Sequence, residues 1–236
     1  MINTAIILAG GFGSRLQTVV SDLPKSLAPI NGQPFLNYQL RFLQTGGIKK
    51  IILSVGFLAN KIKEQYGNRF ENLEITYVTE QRPLGTGGAL RFAMEQHREA
   101  EILALNGDSF FNLNLHDFYS AHQKNESLIS LGLCKTADAA RFGTIEMDSS
   151  HRITSFREKS GKNIPGLING GIYILHRETY LQNTPANLNF SIEKDFFEKQ
   201  VKHLSLLGFE SDAYFLDIGI PEDYERAQHE FKAFGN

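Results

Sequence analysis

Residues 5–27 of this chain read AIILAGGFGSRLQTVVSDLPKSL. The apolar run at residues 5–8 predicts a buried strand, which stops at the glycine-rich stretch 9–13. Glycines let the backbone adopt positive φ values and bring its N–H groups close to a ligand. Arg15 and Lys25 add two cations beside this loop. The stretch therefore predicts a strand followed by a binding loop for a polyphosphate.

The glycine loop differs from two better-known phosphate motifs. A P-loop needs a Lys-Ser/Thr pair after its last glycine, whereas Gly13 is followed by Ser14 and Arg15. The dinucleotide fingerprint needs a third small residue, and here that position is the bulky Leu16. The glycines alone would also suit a tight turn in any α/β protein. The nearby cations favour phosphate binding, and Leu16 disfavours an NAD-type dehydrogenase.

Composition indicates a soluble globular protein. The chain has 236 residues, of which 42% are hydrophobic and 21% charged, and its formal net charge is −2. This balance favours neither a nucleic-acid partner nor an anionic membrane surface. No apolar run is long enough to span a bilayer, and residues 1–4 lack the charged start of a signal peptide, so we expect a cytoplasmic location. The single cysteine, Cys134, is predicted to be a buried strand thiol.

Strands and amphipathic helices alternate through the first half of the chain. This order predicts an α/β fold with a Rossmann-like, mixed and mostly parallel sheet flanked by helices. Helices are predicted over residues 34–45, 59–66, 86–96 and 117–124. Strands are predicted over residues 5–8, 51–57, 74–79, 101–105 and 128–134.

The pattern changes after residue 142. Residues 143–147 and 152–156 flank a four-residue hairpin link at 148–151. Further strands are predicted over 167–175, 204–209 and 214–218, and helices over 192–201 and 222–234. No linker or repeat marks a boundary, so we expect a single domain. Its nucleotide-binding half would cover about 1–110 and its sugar-facing half about 111–236.

Two motifs carry a family resemblance. LAGGFGSRL at 8–16 and PKSL at 24–27 resemble the signature of the sugar-phosphate nucleotidyltransferases, and the resemblance covers nearly the whole chain. It implies the nucleotide-diphospho-sugar transferase fold and a Mg2+-dependent reaction between a nucleoside triphosphate and a sugar 1-phosphate, with release of pyrophosphate. The chain is most similar to guanylyltransferases acting on D-glycero-D-manno-heptose 1-phosphate, which serve cell-surface polysaccharide synthesis. Mannose-1-phosphate guanylyltransferases and N-acetylmuramate-1-phosphate uridylyltransferases are the alternatives.

The nucleotide site follows from the resemblance. Family members line the base pocket with the segment that reads PLGTGG at 83–88 here. Glu80 precedes it, and its carboxylate could accept both N1–H and the exocyclic amine of guanine, although a surface glutamate at a strand end is the plain alternative. GTP is therefore the favoured nucleotide. The predicted nucleotide-binding residues are Leu8, Gly10, Gly11, Gly13, Ser14, Arg15, Lys25, Glu80, Pro83, Gly85, Thr86, Asn106 and Asp108.

Two acids follow apolar strands. Asp108 ends LALNGD at 103–108, and Asp217 lies in YFLDIGIP at 214–221. Carboxylates together with phosphate oxygens suit Mg2+, and the resemblance implies that both acids hold this ion. A turn cap is the alternative role for Asp108. Arg15, Lys25 and Asp108 are the predicted catalytic residues, because rigid cations and a metal stabilise charge that develops on the phosphates.

The sugar 1-phosphate site is carried by four short motifs. They are RFGT at 141–144, FREK at 156–159, ING at 168–170 and SIEKD at 191–195. A solvated charge run, a β-bulge and a helix cap at Ser191 are the alternatives for the last three. The residues carried over from the family are Gly143, Glu158, Lys159, Asn169, Gly170 and Glu193.

Other chemistries find little support. The histidines are scattered, and His116, His122 and His203 are predicted to be solvated. A catalytically silent nucleotide-binding subunit is an alternative of another class, but such a protein could lose any of Arg15, Lys25, Asp108 and Asp217, and all four are present. The sequence leaves open whether the chain forms a homo-oligomer.

Overall fold

The computed structural model describes residues 2–11, 16, 20, 22–157, 161 and 164–234. The strands in this part of the chain are β1 (Thr4–Leu8), β2 (Pro29–Ile30), β3 (Gln33–Pro34), β4 (Lys50–Val55), β5 (Arg69–Phe70), β6 (Leu73–Thr79), β7 (Glu101–Asn106), β8 (Ser109–Phe111), β9 (Ile129–Thr136), β10 (Thr144–Met147), β11 (Ile153–Arg157), β12 (Gly166–His176), β13 (Leu206–Ser211) and β14 (Phe215–Asp217). The α-helices are α1 (Phe35–Thr45), α2 (Ala59–Tyr66), α3 (Gly85–Glu95), α4 (Leu115–Lys124), α5 (Arg177–Gln182), α6 (Glu198–Gln200) and α7 (Pro221–Glu230). A π-helix spans Ile192–Phe197, and 3-10 turns span Lys25–Leu27 and Phe231–Phe234.

Most of the described strands form one mixed sheet. Its central path is β11-β10-β12-β7-β1-β4-β6-β5, and β9 and β13 extend it beside β12. Strands β7, β1, β4 and β6 are parallel to one another, whereas β12 is antiparallel to β7. The fold class predicted from the sequence is thereby confirmed. A separate antiparallel pair, β8 and β14, lies beside the carboxyl end of β7.

Alternating side chains of the sheet feed two apolar layers. Ala5 and Ile7 of β1 face one layer with helices α1, α2 and α4, whereas Ile6 faces the other with α3 and α5. This alternation follows from the period of two in a strand. A third cluster packs α7 and Phe231 against α1 and the β8–β14 pair. The central strands are therefore covered on both faces, and their carboxyl ends are left as the place for a ligand.

The segment predicted as a helix over 192–201 is helical: it begins with a π-helix at Ile192–Phe197 and continues as α6 at Glu198–Gln200. The solvated position predicted for His122 is wrong. His122 is fully buried, with Nδ1 2.7 Å from Ser130 Oγ and Nε2 3.3 Å from Glu101 Oε1. Its position in α4, seven residues after Leu115 and four after Phe118, places it on their buried stripe and carried this information. Helix α5 was not predicted, because six residues offer too little periodicity.

Several other expectations agree with the structure. The hairpin of β10 and β11 forms across the predicted link, and Cys134 is a buried thiol on β9. Burial raises the pKa of that thiol to about 11, so it is an inert side chain at neutral pH. Within the described ranges, no helix has the length and apolar character needed to cross a membrane.

Candidate active site

Two adjoining cavities open at the carboxyl ends of the parallel strands. The larger cavity, of about 680 Å3, lies over the ends of β1, β4, β6 and β7. The smaller cavity, of about 310 Å3, lies beside β10, β11 and β12. Asn106, Glu193 and Asp217 line both cavities. These three residues are therefore placed where ligands in both cavities could reach them.

The predicted nucleotide residues that the structure describes all line the larger cavity. They are Leu8, Gly10, Gly11, Lys25, Glu80, Pro83, Gly85, Thr86, Asn106 and Asp108. Gly13, Ser14, Arg15, Glu158 and Lys159 lie outside the described residues. Of the predicted sugar-phosphate residues, Gly143, Asn169 and Glu193 line the smaller cavity.

Gly170, unlike the other described sugar-phosphate candidates, lines neither cavity. A Cβ at this position would lie 2.4 Å from Phe111 Cδ1 and 2.9 Å from the Gly132 carbonyl oxygen. The residue therefore faces the protein interior, where only glycine fits between β8 and β9. The next residue, Gly171, lines the smaller cavity and has a positive φ of 72° at an irregularity in β12. The glycine pair is thus a β-bulge that presents one member to the cavity.

Asp108 and Asp217 meet because β8 and β14 pair. Asp217 is in register with Ser109, and the Ile218 N–H donates to the Asp108 carbonyl oxygen at 2.9 Å. Asp217 Oδ1 accepts a 2.6 Å hydrogen bond from the Gly219 N–H. Burial, and then the charge of Asp108, raises the pKa of Asp217 to about 6. The two carboxylates therefore repel each other in a partly desolvated place.

Lys25 supplies the cation beside this acid pair. Its Nζ lies 2.8 Å from Asp108 Oδ2, and its side chain is only 12% exposed. The 3-10 turn Lys25–Leu27 fixes its backbone, since the Leu27 N–H donates to the Pro24 carbonyl oxygen at 2.8 Å. The ammonium group is thus held at the floor of the larger cavity, and the proline before it presets the turn.

Glu80 closes the other end of the larger cavity. Its Oε2 accepts a 3.0 Å hydrogen bond from the Leu84 N–H at the start of α3. Burial raises the pKa of Glu80, and the hydrogen bond from Leu84 acts in the opposite direction. A Cβ at Gly10 would lie 2.6 Å from Glu80 Oε1, so the glycine loop leaves room for this carboxylate. A base in this cavity would meet an acceptor-rich wall.

The glycines at the start of α3 serve a different contact from the one expected. A Cβ at Gly87 or Gly88 would clash with Phe190 or with the Leu188 carbonyl oxygen. The Gly87 N–H, which would otherwise be a free donor of the helix N-terminus, donates to the Phe190 carbonyl oxygen at 2.9 Å. These glycines therefore admit another part of the chain and not a ligand.

Segment 187–192 lines the larger cavity through Asn189, Ser191 and Ile192, and only its last two residues fell within a motif of the sequence analysis. The Phe190 N–H donates to the Leu84 carbonyl oxygen at 3.0 Å, and the Ile192 N–H donates to Thr86 Oγ1 at 3.0 Å. Glu193, at the rim of the smaller cavity, follows directly. Residues 187–190 have no hydrophobic period and belong to no motif, so the contact of Phe190 with Leu84 could not be read from the sequence.

The smaller cavity is lined by polar groups from several elements. Asn169 Nδ2 donates to Glu193 Oε1 at 2.7 Å, and Asn169 Oδ1 accepts from the Gly171 N–H at 3.0 Å. Arg141 Nη2 donates to Asp223 Oδ2 at 2.6 Å, which ties the RFGT segment to the start of α7. A Cβ at Gly143 would lie 2.9 Å from the Arg157 carbonyl oxygen. Amide, carboxylate and guanidinium groups thus offer both donors and acceptors to a polyhydroxylated ligand.

The acid pair fits a divalent cation. Asp108 and Asp217 are close enough for each charge to affect the other, and a shared cation would relieve this repulsion. No cluster of three or more potential ligands is present among the described residues.

Sequence comparison identifies the class of protein. The nucleotidyl transferase family matches residues 4–233, and the chain belongs to this family. The D-glycero-alpha-D-manno-heptose 1-phosphate guanylyltransferase of Aneurinibacillus thermoaerophilus is 41% identical over 230 residues, which cover 98% of this chain and 99% of that protein. The protein of the same name from Campylobacter jejuni is 41% identical over 220 residues and covers 93% of this chain and 96% of its own length.

Structural comparison agrees. The crystal structure of HddC from Yersinia pseudotuberculosis complexed with GMP-PN matches with a TM-score of 0.87 at 33% identity, covering 98% of this chain and 100% of that chain. HddC without that nucleotide analogue matches equally well, with a TM-score of 0.87. The resemblance to nucleotidyltransferases predicted from the sequence is therefore confirmed, and the chain is an enzyme of this class.

Proposed function

We propose that this enzyme transfers the guanylyl group of GTP to D-glycero-α-D-manno-heptose 1-phosphate and releases pyrophosphate. The observation that carries the reaction is the Asp108–Asp217 pair with Lys25, placed where the two cavities share residues. The larger cavity would hold the nucleotide and the smaller one the sugar 1-phosphate. This arrangement brings a sugar phosphate oxygen and the α-phosphorus to the junction.

The chemistry requires positioning and charge stabilisation. A sugar phosphate oxygen attacks the α-phosphorus, the bond between that phosphorus and the bridging oxygen to the β-phosphate breaks, and pyrophosphate leaves. No general base is required, because a phosphate oxygen is already anionic at neutral pH. Lys25 faces the growing negative charge from the floor of the larger cavity, and fixed cations of this kind stabilise such a transition state. Arg15 is proposed to assist it.

The metal of the reaction is proposed to be Mg2+. Asp108 and Asp217 would hold it, and when bound it would screen the phosphate oxygens as a Lewis acid. The protein's own contribution is the β8–β14 pairing, which keeps the two carboxylates together.

Guanine is the base favoured by Glu80. Guanine presents N1–H and an exocyclic amine side by side, and a carboxylate accepts from both. The Leu84 N–H fixes the orientation of the carboxylate, and Gly10 leaves space for it. The guanylyltransferase relatives and the GMP-PN complex of HddC support the same base.

The test is a matrix of nucleoside triphosphates against sugar 1-phosphates, read by released pyrophosphate and by the mass of the nucleotide sugar. GTP with the heptose 1-phosphate should give the highest kcat/KM. A higher kcat/KM with mannose 1-phosphate or with UTP and N-acetylmuramate 1-phosphate would replace the proposed substrates. Binding without turnover of any pair would contradict the reaction itself.

A further inference from the structure

A buried phenol contacts Asn169, which lines the smaller cavity. Tyr173 is fully buried in β12, where it is in register with Ala104 of β7 and Leu131 of β9. Its ring packs against Phe197, with centroids 5.1 Å apart. Its hydroxyl accepts a 2.7 Å hydrogen bond from Asn169 Nδ2. Burial holds the pKa of this phenol well above its usual value, so the hydroxyl stays neutral.

The β-bulge makes this contact feasible. Residues four positions apart in a regular strand are separated by about 13 Å along it. The register of β12 shifts between Asn169 and Tyr173, and Gly171 between them has a positive φ of 72°. A Cβ at Gly171 would lie 3.0 Å from Asn106 Nδ2, so glycine also lets the Asn106 amide approach. The irregular backbone thus brings the Asn169 amide to the Tyr173 hydroxyl.

Asn169 passes this constraint on to the smaller cavity. Its amide group makes three hydrogen bonds, to the Tyr173 hydroxyl at 2.7 Å, to Glu193 Oε1 at 2.7 Å and from the Gly171 N–H at 3.0 Å. These contacts fix both the rotamer and the direction of the amide. Glu193 is exposed on the wall of the smaller cavity, and Asn169 holds one of its oxygens.

We propose that Tyr173 is a positioning residue for the sugar 1-phosphate, whose hydroxyl orients Asn169 and, through it, the Glu193 carboxylate. The inference rests on the proposed function, since the smaller cavity is taken as the sugar site. It adds a residue that touches no substrate and that the motif pattern presents only as part of an apolar strand. Removing the hydroxyl should loosen sugar binding more than nucleotide binding, because Asn169, the residue it bonds directly, lines only the smaller cavity.

The first test is steady-state kinetics of Tyr173→Phe, which keeps the ring that packs on Phe197. One hydrogen bond is worth about 1 kcal/mol, which corresponds to roughly a fivefold to tenfold change. We expect the KM for the sugar 1-phosphate to rise by about this factor, and the KM for GTP to change less than twofold. The matched control is Tyr66→Phe, which removes a buried hydroxyl bonded to Asn37 Oδ1, far from both cavities. It should change neither KM.

A double-mutant cycle with Glu193→Gln tests the route. If Tyr173 acts through Glu193, Tyr173→Phe should raise the sugar KM much less in the Glu193→Gln background than in the wild type. Additive effects, equal rises in both KM values, or an unchanged sugar KM in a folded variant would overturn the inference. Thermal melting of Tyr173→Phe is measured alongside. A variant that no longer folds would also overturn the inference, because it would show that the hydroxyl has a purely structural role. The wild type is assayed first with the same substrates. If it turns over the sugar 1-phosphate, the results above test Tyr173 alone; if it does not, the proposed function fails and this inference fails with it.

Discussion

The Ile218 N–H donates to the Asp108 carbonyl oxygen at 2.9 Å. This single backbone bond connects two segments that are far apart in sequence, and it continues the pairing of β8 with β14. The paired backbone holds the metal-ligand candidates Asp108 and Asp217 next to each other. The acid pair is therefore a property of the backbone, and changes to either side chain should leave the fold intact.

Asp217→Asn should abolish turnover without unfolding the protein. The amide retains an oxygen that can accept from the Gly219 N–H, so local structure is kept. It lacks the charge that a divalent cation requires, and a loss of at least about 100-fold in kcat is expected, as for other removed groups that stabilise transition-state charge. Pyrophosphate release and thermal melting measure the two effects. Asp117→Asn, on the exposed surface of α4, is the matched control. Near-normal activity of Asp217→Asn would remove this residue from the site.

The stability of the metal-free protein should depend on pH because the pKa of Asp217 is raised in the folded state. Its pKa of about 6 in the folded state lies above the ordinary value of 3.8. The folded protein therefore binds this proton more tightly than the unfolded chain does. That stabilisation is complete below about pH 4 and is lost as the pH rises through 6. Relative to wild type, Asp217→Asn should thus gain melting temperature at pH 8, and the gain should shrink at pH 4.

Added Mg2+ supplies the complementary measurement. A cation held by ionised Asp108 and Asp217 should raise the melting temperature of the wild type more at pH 8 than at pH 5, because protons compete for Asp217. Asp217→Asn should lose most of this increase. An increase that is equal at both pH values, or equal in the variant, would speak against binding at the acid pair.

Glu80→Gln should weaken the preference for guanine. The glutamine replaces one acceptor with a donor, which would face a donor of the base. Hydrogen bonds to charged groups are worth about 1.5–3 kcal/mol, so kcat/KM with GTP should fall by roughly 10-fold to 100-fold. The value with UTP, which presents an acceptor beside its N–H, should fall less. Glu74→Gln, at an exposed position of β6, is the control. Equal losses with both nucleotides would show that Glu80 does not read the base.

His122→Ala should destabilise the fold, unlike the same change at His116. The first substitution should open a cavity and remove the hydrogen-bond partner of the buried Ser130 hydroxyl, whereas Glu101 keeps its hydrogen bonds from Gln123 and Tyr119. A cost of about 2–4 kcal/mol in the free energy of unfolding is expected. The side chain of His116 is 72% exposed on the same helix, and its removal should cost less than about 0.5 kcal/mol. Chemical denaturation of the two variants decides the matter, and similar stabilities would contradict the buried network.

Local signals account for the parts that were predicted correctly. The apolar run of β1 and the stripe of α1 encode the central sheet and its helical cover, because each repeats at the period of its element. The lining of the larger cavity follows from motifs at strand ends. His122 was misjudged because its residue type was weighed and its position on the buried stripe of α4 was not.

Long-range contacts explain what was missed. A side chain at Gly87 would clash with Phe190, and one at Gly170 would clash with Phe111. Both partners lie far away in sequence, and no pattern around either glycine predicts them. The convergence of Asp108 and Asp217 came from family resemblance alone. The roles of Arg15, Glu158 and Lys159 stay predictions, since these residues lie outside the described ranges.

Segment 187–192 sets a limit for anyone redesigning this enzyme. Its backbone is bonded to Leu84 and Thr86 on one side, and it leads into Glu193 on the other. Replacing residues 80–88 with the corresponding loop of another enzyme would therefore also disturb segment 187–192, which is hydrogen-bonded to that loop. A chimera that exchanges both stretches together should retain activity better than one that exchanges the loop alone.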